Sequence, residues 1–133
     1  MWTDNILLLD ANVIVRLLIK DHPQQFQESK NIFSRIAQGK QKAIILPSVI
    51  MEVIFVMTKV YTTPLSVMIT TIEHLLQHEH IVNTDKSDIL LACNIMSKEN
   101  IDFVDALLIA KHQLYWFQVT SFDKKVQKLS IHE

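Results

Sequence analysis

One glycine, one cysteine and three prolines in 133 residues close off several kinds of chemistry at once. A loop that cradles phosphate needs several glycines close together, so nucleotide hydrolysis on a P-loop and hydride transfer on a Rossmann fingerprint are both excluded. The lone Cys93 has no partner for an internal disulfide. Within Ile89-Leu90-Leu91-Ala92-Cys93 it reads as a small buried hydrophobe, which fits a reducing cytosol. Zinc-ligand spacing is missing too. His74, His78 and His80 crowd one helix end, and the His74/His78 pair lacks the glutamate of the His-Glu-x-x-His pattern, so it reads as a solvated face. No apolar run reaches the length of a membrane span, since the longest are broken by Asp10, Pro47 or Glu52. The opening Met1-Trp2-Thr3-Asp4-Asn5 has no basic region ahead of its first apolar run, so a cytoplasmic protein is expected. A net charge of -1 excludes a large basic platform for nucleic acid, though not a nucleic-acid substrate held through metal ions.

What the chain does have is acid in apolar company. Asp10 ends the run Ile6-Leu7-Leu8-Leu9. Glu52 is the only charge in Val49-Ile50-Met51-Glu52-Val53-Ile54-Phe55-Val56-Met57. Asp105 interrupts Phe103-Val104-Asp105-Ala106-Leu107-Leu108-Ile109-Ala110, and Asp123 follows Phe117-Gln118-Val119-Thr120-Ser121-Phe122. A buried carboxylate costs several kcal/mol unless it is neutralised, paired or metal-bound. Four of them on core-like segments point to one acidic cluster stabilised by a divalent cation.

The hydrophobic pattern alternates between strands and helices. Residues 5–9 read as a uniformly apolar strand of the kind buried in parallel sheets, and 11–19 as a helix. Pro23 opens a second helix running to about 38, where Gly39 supplies the C-cap. Residues 43–46 form a strand, Pro47 opens the helix carrying Glu52, and Thr63-Pro64 opens another. A short strand at 80–82, helices capped by Thr84 or Asp85 and by Asp102, a strand at 116–119 and a terminal helix at 124–129 complete the chain. Strands joined through helices imply a parallel sheet with helices on both faces, all in a single domain. In such sheets ligands bind beyond the carboxyl ends of the strands, where these acids fall.

Each acid also has a purely structural reading. Asp10 suits a helix N-cap, and Asp102 with Asp105 a loose capping box. Glu52 has a candidate ion-pair partner in Arg16 or Lys59. Asp123 is a common kind of turn aspartate. The structural account needs four separate explanations and a metal site needs one. Magnesium takes a few carboxylates and keeps several waters, and such ions polarise a phosphate, deliver hydroxide and stabilise the leaving oxygen. Phosphodiester hydrolysis is therefore the expected chemistry, with Arg16, Lys59, Lys111, Lys124 and Lys125 as candidates to track a backbone.

The motifs also carry a resemblance. Leu8-Leu9-Asp10-Ala11-Asn12-Val13-Ile14 resembles the opening strand and Asp-x-Asn of PIN-domain ribonucleases. Leu46-Pro47-Ser48-Val49-Ile50-Met51-Glu52-Val53 resembles their second acidic segment. Ile101-Asp102-Phe103-Val104-Asp105-Ala106-Leu107 is similar to their third, and Val119-Thr120-Ser121-Phe122-Asp123-Lys124 to their fourth. Order and spacing match over nearly the whole chain, and the size suits the single-domain VapC-type toxins of toxin–antitoxin pairs. The resemblance implies a three-layer α/β/α fold with a central parallel sheet of four to five strands. It also implies that Asp10, Glu52, Asp105 and Asp123 form a catalytic site for magnesium or manganese, with Asn12 and Ser121 positioning a ligand or water. RNA substrate, a cognate antitoxin covering the site and a homodimer follow from the same likeness. The apolar residues Met68, Ile69 and Ile72 are candidates for half of a dimer interface, beside their reading as core. Asn100 stands where the family often has a glycine before its third motif. Two other readings are a non-catalytic PIN-like module binding RNA or protein, and a haloacid-dehalogenase-like phosphatase using Asp10 as nucleophile. The latter lacks the Gly-Asp pair and the well-placed lysine that it needs.

Overall fold

The computed structural model describes residues 5–131, so the opening segment Met1 to Asp4 lies outside it. The fold divides into two compact units, Met1–Thr84 and Asp85–Glu133.

The first unit is built on a parallel pair of strands. β1 (Ile6–Leu8) pairs with β2 (Lys42–Ile44) in the register Ile6 to Lys42, Leu7 to Ala43 and Leu8 to Ile44. Between them run α1 (Ala11–Leu18) and α2 (Pro23–Ala37), which pack on each other; α1 also packs on α3 (Pro47–Phe55). Pro23 and Pro47 each stand at the first helical turn, where the missing amide costs nothing. Glycine is needed once. Gly39, at φ +76°, turns the chain out of α2, and a Cβ there would meet the His80 ring at 3.0 Å. α3 continues into a five-residue π-helical stretch (Val56–Val60) before α4 (Leu65–Gln77).

Ile81 adds a single parallel bridge to Ala43, and Asn83 then stands in for further strand. Its side-chain oxygen accepts from Ile45 N at 2.9 Å and its amide donates to Ile45 O at 2.6 Å. One buried side chain thereby satisfies both polar groups of a buried residue.

The second unit packs α5 (Lys86–Glu99) against α6 (Phe103–Tyr115) and ends in α7 (Lys124–Leu129). With no glycine available, two helices close on other residues in the left-handed region: Asn100 (φ 50°) after α5 and Trp116 (φ 63°) after α6. Asn100 thus does the work of the glycine that the resemblance expects, as asparagine tolerates that conformation better than most residues.

The parallel α/β character is as expected, but the sheet is smaller. Among the described residues there are two strands and one bridge, short of four to five. The segment expected as a last strand, 116–119, forms no ladder: Trp116 is wound into the helix cap, and the Phe117 carbonyl is engaged by His112 Nδ1 at 2.8 Å. β1 is not buried on both faces. It has a neighbour on one side within its unit, and Leu8 is 67 % exposed. The core of this unit lies instead among Ile14, Val15, Ile45, Val53, Met68, Ile72 and Leu76. Met68, Ile69 and Ile72 are therefore core residues and present no surface to a second copy. No described helix is long and apolar enough to cross a membrane.

Candidate metal and nuclease site

Asp10 is the N-cap residue of α1, yet its side chain makes no capping bond. Asn12 follows on the first turn, exposed. β1 and β2 are parallel and in register, so Asp10 and the start of α3 leave the sheet at the same edge. Glu52 stands on the outer face of α3 with Ser48 and Phe55, while Ile50, Val53 and Ile54 face inward. Neither Arg16 nor Lys59 pairs with it. Arg16 instead donates to Asp21 Oδ1 and Gln25 Oε1, each at 2.9 Å. Both acids of the first unit are thus solvent-facing carboxylates that no described cation neutralises.

In the second unit Asp102 caps α6, accepting from Asp105 N at 2.9 Å. Asp105 lies half-buried in the first turn of that helix. Burial pushes its carboxyl up from the ordinary value, and the negative charges of Asp102 and Asp123 push it further. Asp123 caps α7 through one oxygen, Oδ1, which accepts from Lys125 N and Val126 N at 2.9 Å. Ser121 Oγ accepts from Asp123 N at 3.0 Å, which leaves its hydroxyl proton to donate elsewhere. This unit brings Asp105, Asp123 and Ser121 into one neighbourhood, with Asp102 as a further source of negative charge.

The premise that all four acids are buried needs correcting. Asp10, Glu52 and Asp123 are exposed and Asp105 half-buried, because each apolar run lies on a helix or strand whose other face meets solvent. Among the described residues the buried aspartate is Asp88, 2 % exposed, which no long apolar run in the sequence marks out. It accepts from Lys111 Nζ at 2.5 Å and from the Tyr115 hydroxyl. Burial raises its pKa, but the bonds from Lys111 and Tyr115, with the Lys111 charge and Ser87, outweigh that and hold it below the usual value. Lys111 is therefore spent inside the fold rather than on a nucleic-acid backbone. The available signal was an acid and a lysine on successive helices, but 23 residues separate them.

His74 is exposed, as a solvated face expects, and His78 is half-buried. They line an apolar cavity of about 430 Å³ with Phe33, Ile36, Leu75 and Ile81.

Among the described residues no group of three or more His, Cys, Asp or Glu side chains is gathered as an ion-binding set. The donor chemistry of the candidate acids nonetheless suits a hard cation. All are carboxylate oxygens, without imidazole or thiolate, and Asp105 carries unrelieved negative charge from its neighbours.

A family model described as PIN domain matches residues 7–131. The chain belongs to the PIN domain family. No curated protein and no solved structure matches it. PIN domains are generally nucleases and typically use divalent metals, so a nuclease is the kind of activity that membership gives this chain. The matched span includes Asp10, Glu52, Asp105 and Asp123.

Proposed function

We propose that this PIN domain is a metal-dependent endoribonuclease. The observation that carries the reading is a family match running from residue 7 to 131, across all four acids that the sequence singles out. Asp10, Glu52, Asp105 and Asp123 are the residues that would hold magnesium or manganese. When bound, the cation supplies Lewis acidity at the phosphate and makes water a stronger nucleophile. The chain's own groups orient the substrate: the Asn12 amide and the Ser121 hydroxyl donate to phosphate oxygens or water. The exposed carboxylates of Asp10 and Glu52 support this role, since among the described residues they have no ion pair or capping bond to give up. The raised pKa of Asp105 supports it too, because a cation there offsets repulsion that folding has gathered.

The finer reading is a single-domain toxin of a type II toxin–antitoxin pair, working in the cytoplasm as a homodimer and held inactive by a cognate antitoxin. Its dimer surface lies elsewhere than on Met68, Ile69 and Ile72, which are buried within the chain.

The test is incubation of the purified protein and its Asp10→Asn variant with structured RNA, with magnesium or manganese and with chelator. Cleavage by the unaltered protein alone, lost with chelator and restored by metal, is expected. Equal background from both proteins would sink the enzyme reading in favour of a non-catalytic binding module.

A further inference from the structure

We infer that the cleft between α1 and α2 is a base-recognition subsite for guanine, next to the proposed cleavage site. The inference rests on the nuclease reading and names what that site selects. The cleft holds about 180 Å³ and is lined by Asn12, Val13 and Arg16 of α1 and by Gln25, Glu28, Ser29 and Ile32 of α2. One water needs about 10–15 Å³ by the same measure, so there is room for a ring system. The spacing explains the shape. Asn12 and Arg16 are four residues apart on α1, while Gln25, Glu28, Ser29 and Ile32 recur at helical spacing on α2.

The wall chemistry selects the occupant. Arg16 is committed: its Nε donates to Gln25 Oε1 and its guanidinium pairs with Asp21, so its charge is locally offset. The Gln25 carbonyl is thereby occupied and its amide protons remain as donors. Among the described residues no cation pairs with Glu28, which carries only a long bond from Gln24 Nε2 at 3.4 Å. A carboxylate in that position repels phosphate, so the cleft suits a neutral base edge rather than the backbone. Among the bases of RNA, guanine alone presents two adjacent N–H donors on one edge, N1–H and N2–H, with a carbonyl beside them. Glu28 accepts the two N–H groups and the Gln25 amide donates to O6, while Val13 and Ile32 flank the ring. Adenine offers an acceptor at N1, cytosine one at N3, and uracil a single N–H between two carbonyls. Asn12 also stands on the first turn after Asp10, about 3 Å along the helix axis by its rise. Residues two apart on a helix point to different sides, so the base read lies on a nucleotide flanking the cut rather than at the candidate acid itself.

The test has two arms. In the first, GMP, AMP, CMP, UMP and inosine monophosphate are titrated into the labelled protein while the side-chain amide signals of Asn12 and Gln25 are followed. GMP is expected to bind about ten-fold or more tightly than the other three RNA nucleotides. Inosine monophosphate, which lacks the N2 amino group, loses much of that advantage, and Glu28→Gln erases it while the unfolding midpoint stays in place. Equal affinities, or a preference that survives in Glu28→Gln, overturn the proposal. In the second, random-sequence RNA is incubated with magnesium and the new ends are sequenced. Guanine enriched at one fixed position from the cut, and lost in Glu28→Gln, is expected; cutting that is abolished by Asp10→Asn yet shows no such enrichment also overturns it. If no RNA is cut at all, the nuclease reading falls, and the nucleotide titration still decides whether the cleft takes guanine.

Discussion

Two aspartates of the second unit, Asp88 and Asp105, meet opposite electrostatic surroundings. Both are shielded from water, and burial alone pushes both carboxyls up. Asp88 faces Lys111 and Tyr115, and ends below its ordinary pKa. Asp105 faces Asp102 and Asp123, and ends above it. The first arrangement is satisfied within the chain. The second gathers like charges and leaves them unrelieved. Burial by itself therefore says little about what an acid is for; its neighbours decide.

The largest expected effect tests Asp105. Asp105→Asn is expected to lower RNA cleavage more than about 100-fold, above what removal of an outer-shell partner costs a metal site. The same change removes repulsion from Asp102 and Asp123, so its urea midpoint is expected to hold or rise. Lost activity with a lowered midpoint would make Asp105 a structural residue. Next comes Asp88→Ala, which strands Lys111 and Tyr115 without their shared acceptor. A loss of about 2 kcal/mol in urea unfolding is expected, toward the low end for a broken buried pair because Lys111 is partly exposed. A loss below a few tenths would show that the pair contributes nothing net.

Acid titration of stability separates the two further. Asp105 has a raised folded pKa, so it takes up a proton more readily folded than unfolded. Its unfavourable contribution at neutral pH is relieved as pH falls through that raised value. Asp88 has a lowered folded pKa, so its stabilisation is present above the usual value near 3.8 and is lost as pH falls through the folded one. Asp105→Asn is expected to flatten the relief at mildly acidic pH, and Asp88→Asn to flatten the loss at strongly acidic pH, in circular-dichroism melts across pH. Identical profiles for both variants would dissolve the contrast. The smallest effect is magnesium itself. At ten times its dissociation constant it is expected to stabilise the folded chain by about 1.4 kcal/mol, and to stabilise Asp105→Asn less. An equal shift in both would place the ion elsewhere.

Much of the fold was legible in the residues because its signals are local. Pro23 and Pro47 mark helix starts, Gly39 a helix end, and Asp102 the cap of α6. The short strand expected at 80–82 was legible and is met by a single bridge at Ile81, whereas the Asn83 clamp beside it was not, because one amide side chain leaves no two-residue alternation. The π-helical stretch was equally silent, since Val56-Met57-Thr58-Lys59-Val60 has no feature that separates it from a continued α3. The acids were found as residue types, but apolar neighbours in sequence were a poor guide to burial. Glu52 follows Met51 and precedes Val53, yet the helix turns it outward beside Ser48 and Phe55. Asp88 was missed for the converse reason: in the first turn of α5 it resembles an ordinary acid favoured by the helix dipole, and its partners lie on α6.

The Asn83 clamp on Ile45 has a consequence for amide exchange. Backbone protons held in a ladder exchange with solvent when strands part, a collective opening with a high free energy. The Ile45 proton is held by a side-chain oxygen, so rotation of one amide group about its own χ angles releases the hydrogen bond without separating β1 from β2. Its protection therefore depends on the Asn83 side chain as well as on opening of the buried strands, whereas the Ala43 amide, bonded to the His80 carbonyl, reports on the backbone. Two residues apart, the two protons time different motions.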